Sequence, residues 1–196
     1  MNREQPKIEF RETQVLKQES AAKELKIAEI QKQVEVIEDR LGKPIDGGIK
    51  ESIIYLNAHE LRTIQSCEGH PDEFIETREG ISTPWVDIGP NFPENKKWYE
   101  DESLRSKLAI EDRKLRVKMQ KPLTEFYKDR KVDYDVMLSG PSDPGWGFRL
   151  QSSGSVVLEA EPSAEKIQEK AKQYQKEMAD FTEFLKKKYF EGTKVG

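Results

Sequence analysis

The C-terminal stretch constrains the fold most. After Ser163, a residue suited to capping a helix N-terminus, Ile167, Ala171, Tyr174, Met178, Phe181 and Leu185 recur at spacings of four and three. The spacing predicts a long amphipathic helix whose apolar face needs a partner. A second such stretch, from about Lys7 to Leu41, has no Gly or Pro and sets Ile27, Ile30, Val34, Ile37 and Leu41 on one helical face. Upstream the same register falls on Lys23 and Ser20, so the seam covers barely two heptads, too short for a true coiled coil. Packing onto its own domain is expected instead, and Gly42-Lys43-Pro44 ends the helix.

Between these helices the pattern turns mixed. Ile45, Ile49, Ile53 and Leu56 mark a second helix, with Asp46 as its expected N-cap and an end near Glu60. Thr63–Cys67 and Trp85–Ile88 read as strands on either side of an acidic loop. From Asp101 to Lys121, Leu104, Leu108, Leu115 and Met119 share a helical face surrounded by basic residues. Stretches 133–139, 147–152 and 155–159 read as three further strands, with Ser152-Ser153-Gly154 as a hairpin turn. The expected class is α+β: a small mixed or antiparallel sheet with packed helices, flanked by long terminal helices. Residues 1–43 would form a helical arm and 44–162 the α+β domain. Residues 163–196 would form a helix packed on that domain or on the arm. With 196 residues, 35% of them hydrophobic, one compact domain with helical extensions is the natural size.

Several function classes are disfavoured early. A formal charge of -4 argues against holding a polyanion through the overall field. Residues 43–100 carry six basic and eleven acidic side chains, so the excess negative charge is concentrated there. No apolar stretch approaches the roughly 20 residues of a membrane span. Cys67 is the only cysteine, which excludes an intramolecular disulfide and a multi-cysteine zinc site; together with the lack of a signal-like start it leads to the expectation of a cytoplasmic protein.

Chemistry concentrates at Cys67-Glu68-Gly69-His70. Side chains alternate along a strand, so Gln65 and Cys67 share a face, and on a neighbouring strand Trp85 and Asp87 share the face opposite Val86 and Ile88. If the strands pair, these four residues line one surface and Gly69 turns His70 back over it. A thiol with an imidazole three residues on suits a nucleophile and its base, with Asp87 orienting the ring. Cys67, His70 and Asp87 are therefore the expected catalytic residues. Gln65, Ser66, Glu68, Gly69, Trp85 and Trp146 complete an expected ligand-binding set, Trp146 as the wedge of a Gly/Pro loop at 140–147. Opposing this, Glu68 and the surrounding negative charge would raise the thiol pKa, and a buried structural cysteine with a helix-capping His70 would look the same in sequence. An open metal site on Cys67, His70 and Asp87 is a third alternative. His59 fits it poorly, lying before a strand along which Cys67 is roughly 13 Å from Thr63. Sequence alone assigns no metal ligands and no cofactor.

An acidic residue and short helix, then Thr63-x-Gln-Ser-Cys-Glu-Gly-His70 and Pro84-Trp-Val-x-Ile88, resembles an uncharacterised family of bacterial proteins with an S-C-E-G-H signature. The likeness runs from Asp46 to Ile88. More distantly, Gln65–His70 is similar to the S-S-C-S-G-R segment of the wybutosine-synthesis tRNA methyltransferase family, which uses S-adenosylmethionine on an α/β fold. Here Glu68 replaces Ser and His70 replaces Arg, which removes a fixed cation suited to phosphate or carboxylate. The resemblance implies a functional turn, and neither substrate nor cofactor.

The leading expectation is thus a small-molecule or nucleotide-directed site, for catalysis or for binding, around Cys67, His70 and Asp87. The competing one is a non-enzymatic interaction or oligomerisation protein using its terminal helices. The basic helix at 105–121, flanked by Trp98, Tyr99, Phe126 and Tyr127, is the one local feature suited to RNA; a solvated helix face is the favoured reading, because Glu111 and Asp112 interrupt it.

Overall fold

A computed structural model describes residues 5–38, 42–93, 97–140, 146–161 and 163–191. In chain order it contains α1 (Gln5–Glu35), α2 (Gly47–Ala58), β1 (Thr63–Cys67), α3 (Pro71–Thr77), β2 (Trp85–Ile88), a 3-10 turn (Trp98–Glu100), α4 (Glu102–Tyr127), β3 (Leu138–Ser139), β4 (Phe148–Ser152), α5 (Ser155–Leu158) and α6 (Ala164–Glu191). The fold is α+β, with four antiparallel strands in the order β1-β2-β4-β3 and long helices toward both termini. Among the described residues, no helix is long and apolar enough to cross a membrane.

Alternation sets the two faces of the sheet. Val86, Ile88, Phe148 and Leu150 join one apolar cluster with Ile49, Ile53 and Leu56 of α2, Leu115 and Met119 of α4, and Met178, Phe181 and Leu185 of α6. Every apolar position expected on α6 is buried, and Ser163 Oγ accepts from Lys166 N as the expected cap. Ile27, Ile30 and Val34 bury α1 in the same cluster. Both α1 and α6 pack against α2, and a buried hydrogen bond of 2.7 Å joins Ser52 to Thr182.

The structure differs from expectation at several points. Helix α1 ends at Glu35, where the β-branched pair Val36-Ile37 begins; Ile37 is exposed, Glu38 instead bridges to Pro44, and Leu41 lies outside the described residues. Helix α4 passes through Pro122 to Tyr127. The proline costs about 3 kcal/mol, but the helix thereby buries Leu123 and Phe126, each worth about 1.5–3 kcal/mol. The acidic loop after His70 contains α3, opened by Pro71 with Asp72 and Glu73 in its first turn.

Two expected strands are also corrected. Only Leu138 and Ser139 of residues 133–139 are in the sheet, because Val136 N and Met137 N both turn back to Asp133 O. Residues 155–158 form the short helix α5 rather than a strand. Ser152 is the last residue of β4 with a partner, and beyond it Ser153 N and Gly154 N bond to Met137 O and Asp135 O in the turn, leaving no edge to extend. Leu158 is buried in a second cluster with Phe74, Val136, Ile167 and Tyr174.

His59 follows α2 and contacts α6, where its Nε2 lies 2.9 Å from Leu185 O and its ring meets Tyr189 edge-on. Burial is the main reason its pKa falls below 6.5, and Lys118, Lys26 and Lys23 add to the effect against the Leu185 carbonyl. The folded chain therefore resists a proton that the unfolded chain accepts, so His59 contributes stability above about pH 6.5 that is lost on acidification. Melting temperatures measured from pH 7.5 to 5.5 should fall less steeply for His59→Gln than for the unsubstituted chain.

Candidate functional site

The turn from β1 into α3 is tightly determined. Gly69 adopts φ +82, and a Cβ there would lie 2.6 Å from the Thr83 carbonyl carbon and 2.8 Å from Ser82 O. A side chain is thus excluded twice, by conformation and by backbone contact. His70 N donates to Ile81 O at 2.9 Å, so the turn runs against residues 81–83. On the other side, Cys67 sits opposite Trp85 and Gln65 opposite Asp87. A bulge at Ile64 shifts the pairing, which places Thr63 opposite Ile88.

Asp46 does not cap α2 with its side chain. Glu68 does so instead: its Oε2 accepts from Gly48 N at 2.6 Å. In return, Asp46 Oδ2 accepts from Glu68 N at 3.2 Å. This exchange acts like a capping box whose two bonds span 20 and 22 residues of chain, joining the start of α2 to the end of β1. It also turns the Asp46 carboxylate toward His70, whose Nε2 lies 3.5 Å from Asp46 Oδ2. Ligand atoms of Asp46, Cys67 and His70 all lie within 4.8 Å of one another, and all three residues are half-buried. This donor set could hold a metal ion.

The electrostatics do not favour a bare nucleophile. Burial pushes the Cys67 thiol above its ordinary range; the Gly69 N–H, donating to Sγ at 3.3 Å, opposes this, while Asp46 and Glu68 reinforce it. At neutral pH the sulfur is a protonated thiol, a weak nucleophile.

Of the residues expected at the site, Cys67, Glu68, Gly69 and His70 are brought together. Asp87 is a correction: both its oxygens face Arg149, at 2.8 Å to Nε and 3.0 Å to Nη2, so the carboxylate is held in the sheet rather than against His70. The Arg149 guanidinium also stacks 3.7 Å above the Trp85 ring, which makes Trp85 a platform for that arginine. Gln65 is exposed on the same face, and Ser66 lies opposite Val86, on the other one. Trp146 is a second correction. It packs 5.3 Å from Trp98, next to Gly147, at the end of β2 remote from Cys67, and Asp112 holds Gly147 N at 2.7 Å. Loop residues 141–145 lie outside the described residues. Asp46 was missed because an aspartate before a helix reads as its cap; the signal was Glu68, equally able to fill that role.

A cleft of 560 Å³ opens beside the turn, lined by residues 68–73 and by Gln168, Lys172 and Gln175 of α6. Gln175 Nε2 donates to Glu68 O and Gln168 Nε2 to Asp72 Oδ1, fixing two of its walls. The basic surface of α4 is partly neutralised within the chain, Arg116 pairing with Asp112 and Lys118 with Glu60. No family model, curated protein or solved structure matches this chain.

Two substitutions test this construction by calorimetry or denaturant unfolding. Gly69→Ala should destabilise the chain by about 2 kcal/mol or more. Glu68→Ala should cost about 1 kcal/mol, a fall of roughly 2–4 °C in Tm, with Glu68→Gln intermediate.

Proposed function

We propose that the cleft between the β1–α3 turn and α6 receives a small polar molecule, with Asp46, Cys67 and His70 forming the chemically active side of the site. One observation carries this reading: an imidazole, a thiol and a carboxylate converge within 4.8 Å, and His70 belongs to the lining of the 560 Å³ cleft. Asp46 takes the place beside His70 that the sequence suggested for Asp87. His70 and Cys67 serve as nitrogen and sulfur donor atoms of the group, and the Asp46 carboxylate sits beside the imidazole.

The cleft's charges narrow the molecule. Glu68, Asp72 and Glu73 face Lys172 as the lining lysine, an environment unfavourable to a polyphosphate and suited to a neutral or zwitterionic molecule. A cytoplasmic setting fits, since the lone thiol stays reduced there. The interaction-protein reading has less support, because Ile27, Ile30 and Val34 of α1 and the apolar face of α6 are buried within the chain itself.

A thermal-shift screen with free amino acids, nucleosides and nucleoside triphosphates tests the reading. An amino acid or nucleoside should raise Tm in proportion to the logarithm of its concentration, with the shift lost in His70→Ala and reduced in Lys172→Ala. No shift with any compound, a response to triphosphates alone, or the same shift in both variants would overturn it.

A further inference from the structure

Asp46 and His70 are oddly spaced for a simple pair. Their 3.5 Å separation exceeds a good N–H···O hydrogen bond, which falls at about 2.7–3.2 Å. It matches instead one edge of a tetrahedron around a shared cation, which comes to roughly 3.4 Å from ligand bonds of about 2.0–2.2 Å. The third donor, Cys67 Sγ, is within 4.8 Å of both. A side-chain adjustment of about 1 Å closes the triangle at that bond length.

The surroundings support a cation as well. Each anionic donor has its own backbone N–H: Gly69 N–H donates to the sulfur at 3.3 Å and Glu68 N–H to Asp46 Oδ2 at 3.2 Å. An N–H aimed at sulfur gains little from a neutral thiol and much from a metal-bound thiolate. These supports are rigid, since Gly69 is wedged against residues 82–83 and Glu68 is clamped to Gly48. One thiolate and one carboxylate balance the charge of a divalent ion, and the neutral imidazole adds none.

We propose that Asp46, Cys67 and His70 bind one divalent cation of the zinc class, three protein ligands leaving a fourth position for water or a ligand beside the cleft. The inference rests on the reading that this turn is the functional site. Mixed sulfur, nitrogen and oxygen donors select a borderline-soft metal over magnesium or calcium, which take oxygen. On binding, the Cys67 S–H bond breaks, its electron pair forms the sulfur–metal bond and the proton leaves to solvent. A metal with three protein ligands and one open position can polarise a bound carbonyl or activate water, the arrangement used for hydrolysis and ligand capture.

The test is titration of the full chain, freed of metal by chelator, with Co²⁺ and then Zn²⁺, with no other compound present. Expected are one Co²⁺ per chain, a thiolate-to-cobalt charge-transfer band, the intense visible absorption of a tetrahedral site, and displacement by Zn²⁺ with a rise in Tm. Cys67→Ser should abolish the charge-transfer band, and Asp46→Asn and His70→Ala should each weaken binding by about tenfold or more. Asp87→Asn should leave it unchanged. Circular dichroism confirms that each variant folds. Absence of the sulfur band in the unsubstituted chain, or equal affinity in all four variants, would overturn the proposal. Because the readout needs no small molecule, it fails independently of the cleft screen: compounds that shift Tm without metal would leave the cleft reading standing alone.

Discussion

The exchange of hydrogen bonds between Glu68 and the start of α2 at Asp46 and Gly48 positions most of what matters in this protein. Glu68 closes the free N-terminus of α2, and Asp46 accepts the backbone N–H that Glu68 presents at the end of β1. Helix α2 lies against both α1 and α6, so fixing its start to the sheet also sets how those long helices meet the domain. The same exchange releases the Asp46 carboxylate from the capping role its sequence position suggests and leaves it beside His70. A local cap would have satisfied the helix equally well and left the imidazole without its carboxylate neighbour.

The sheet explains why Asp87 is not part of this group. Register brings Gln65 opposite Asp87 and Cys67 opposite Trp85, as alternation suggests. The other edge of β2 then faces β4, which sets Arg149 across from Asp87. A planar guanidinium with two parallel hydrogen bonds and an aromatic platform holds a carboxylate more firmly than an imidazole in the turn beyond the end of β1.

Much of the architecture was legible because it rests on periodicity. The buried positions of α6, the seam of α1 up to Val34, the cap at Ser163, and strands β1, β2 and β4 all follow from spacing and cap chemistry within a few residues. The features that were not legible depend on a neighbour. Val156 and Val157 prefer strands but found no edge to join, and Ile64 became the extra residue of a bulge. Pro122 sits within a helix because Leu123 and Phe126 beyond it bury enough apolar surface to offset the lost backbone bond.

Sequence by itself determined the fold class, the long helices and the turn at Cys67–His70, because period, cap residues and glycine conformation act over a few residues of chain. Tertiary structure decided which carboxylate joins that turn. Asp46 and Asp87 are equivalent as chemistry and lie at comparable distances along the chain from His70. Only the pairing of Arg149 with one and of the Glu68 backbone with the other separates them. Such partners come from elements that meet after folding, and a carboxylate's orientation is set by whichever donors reach it.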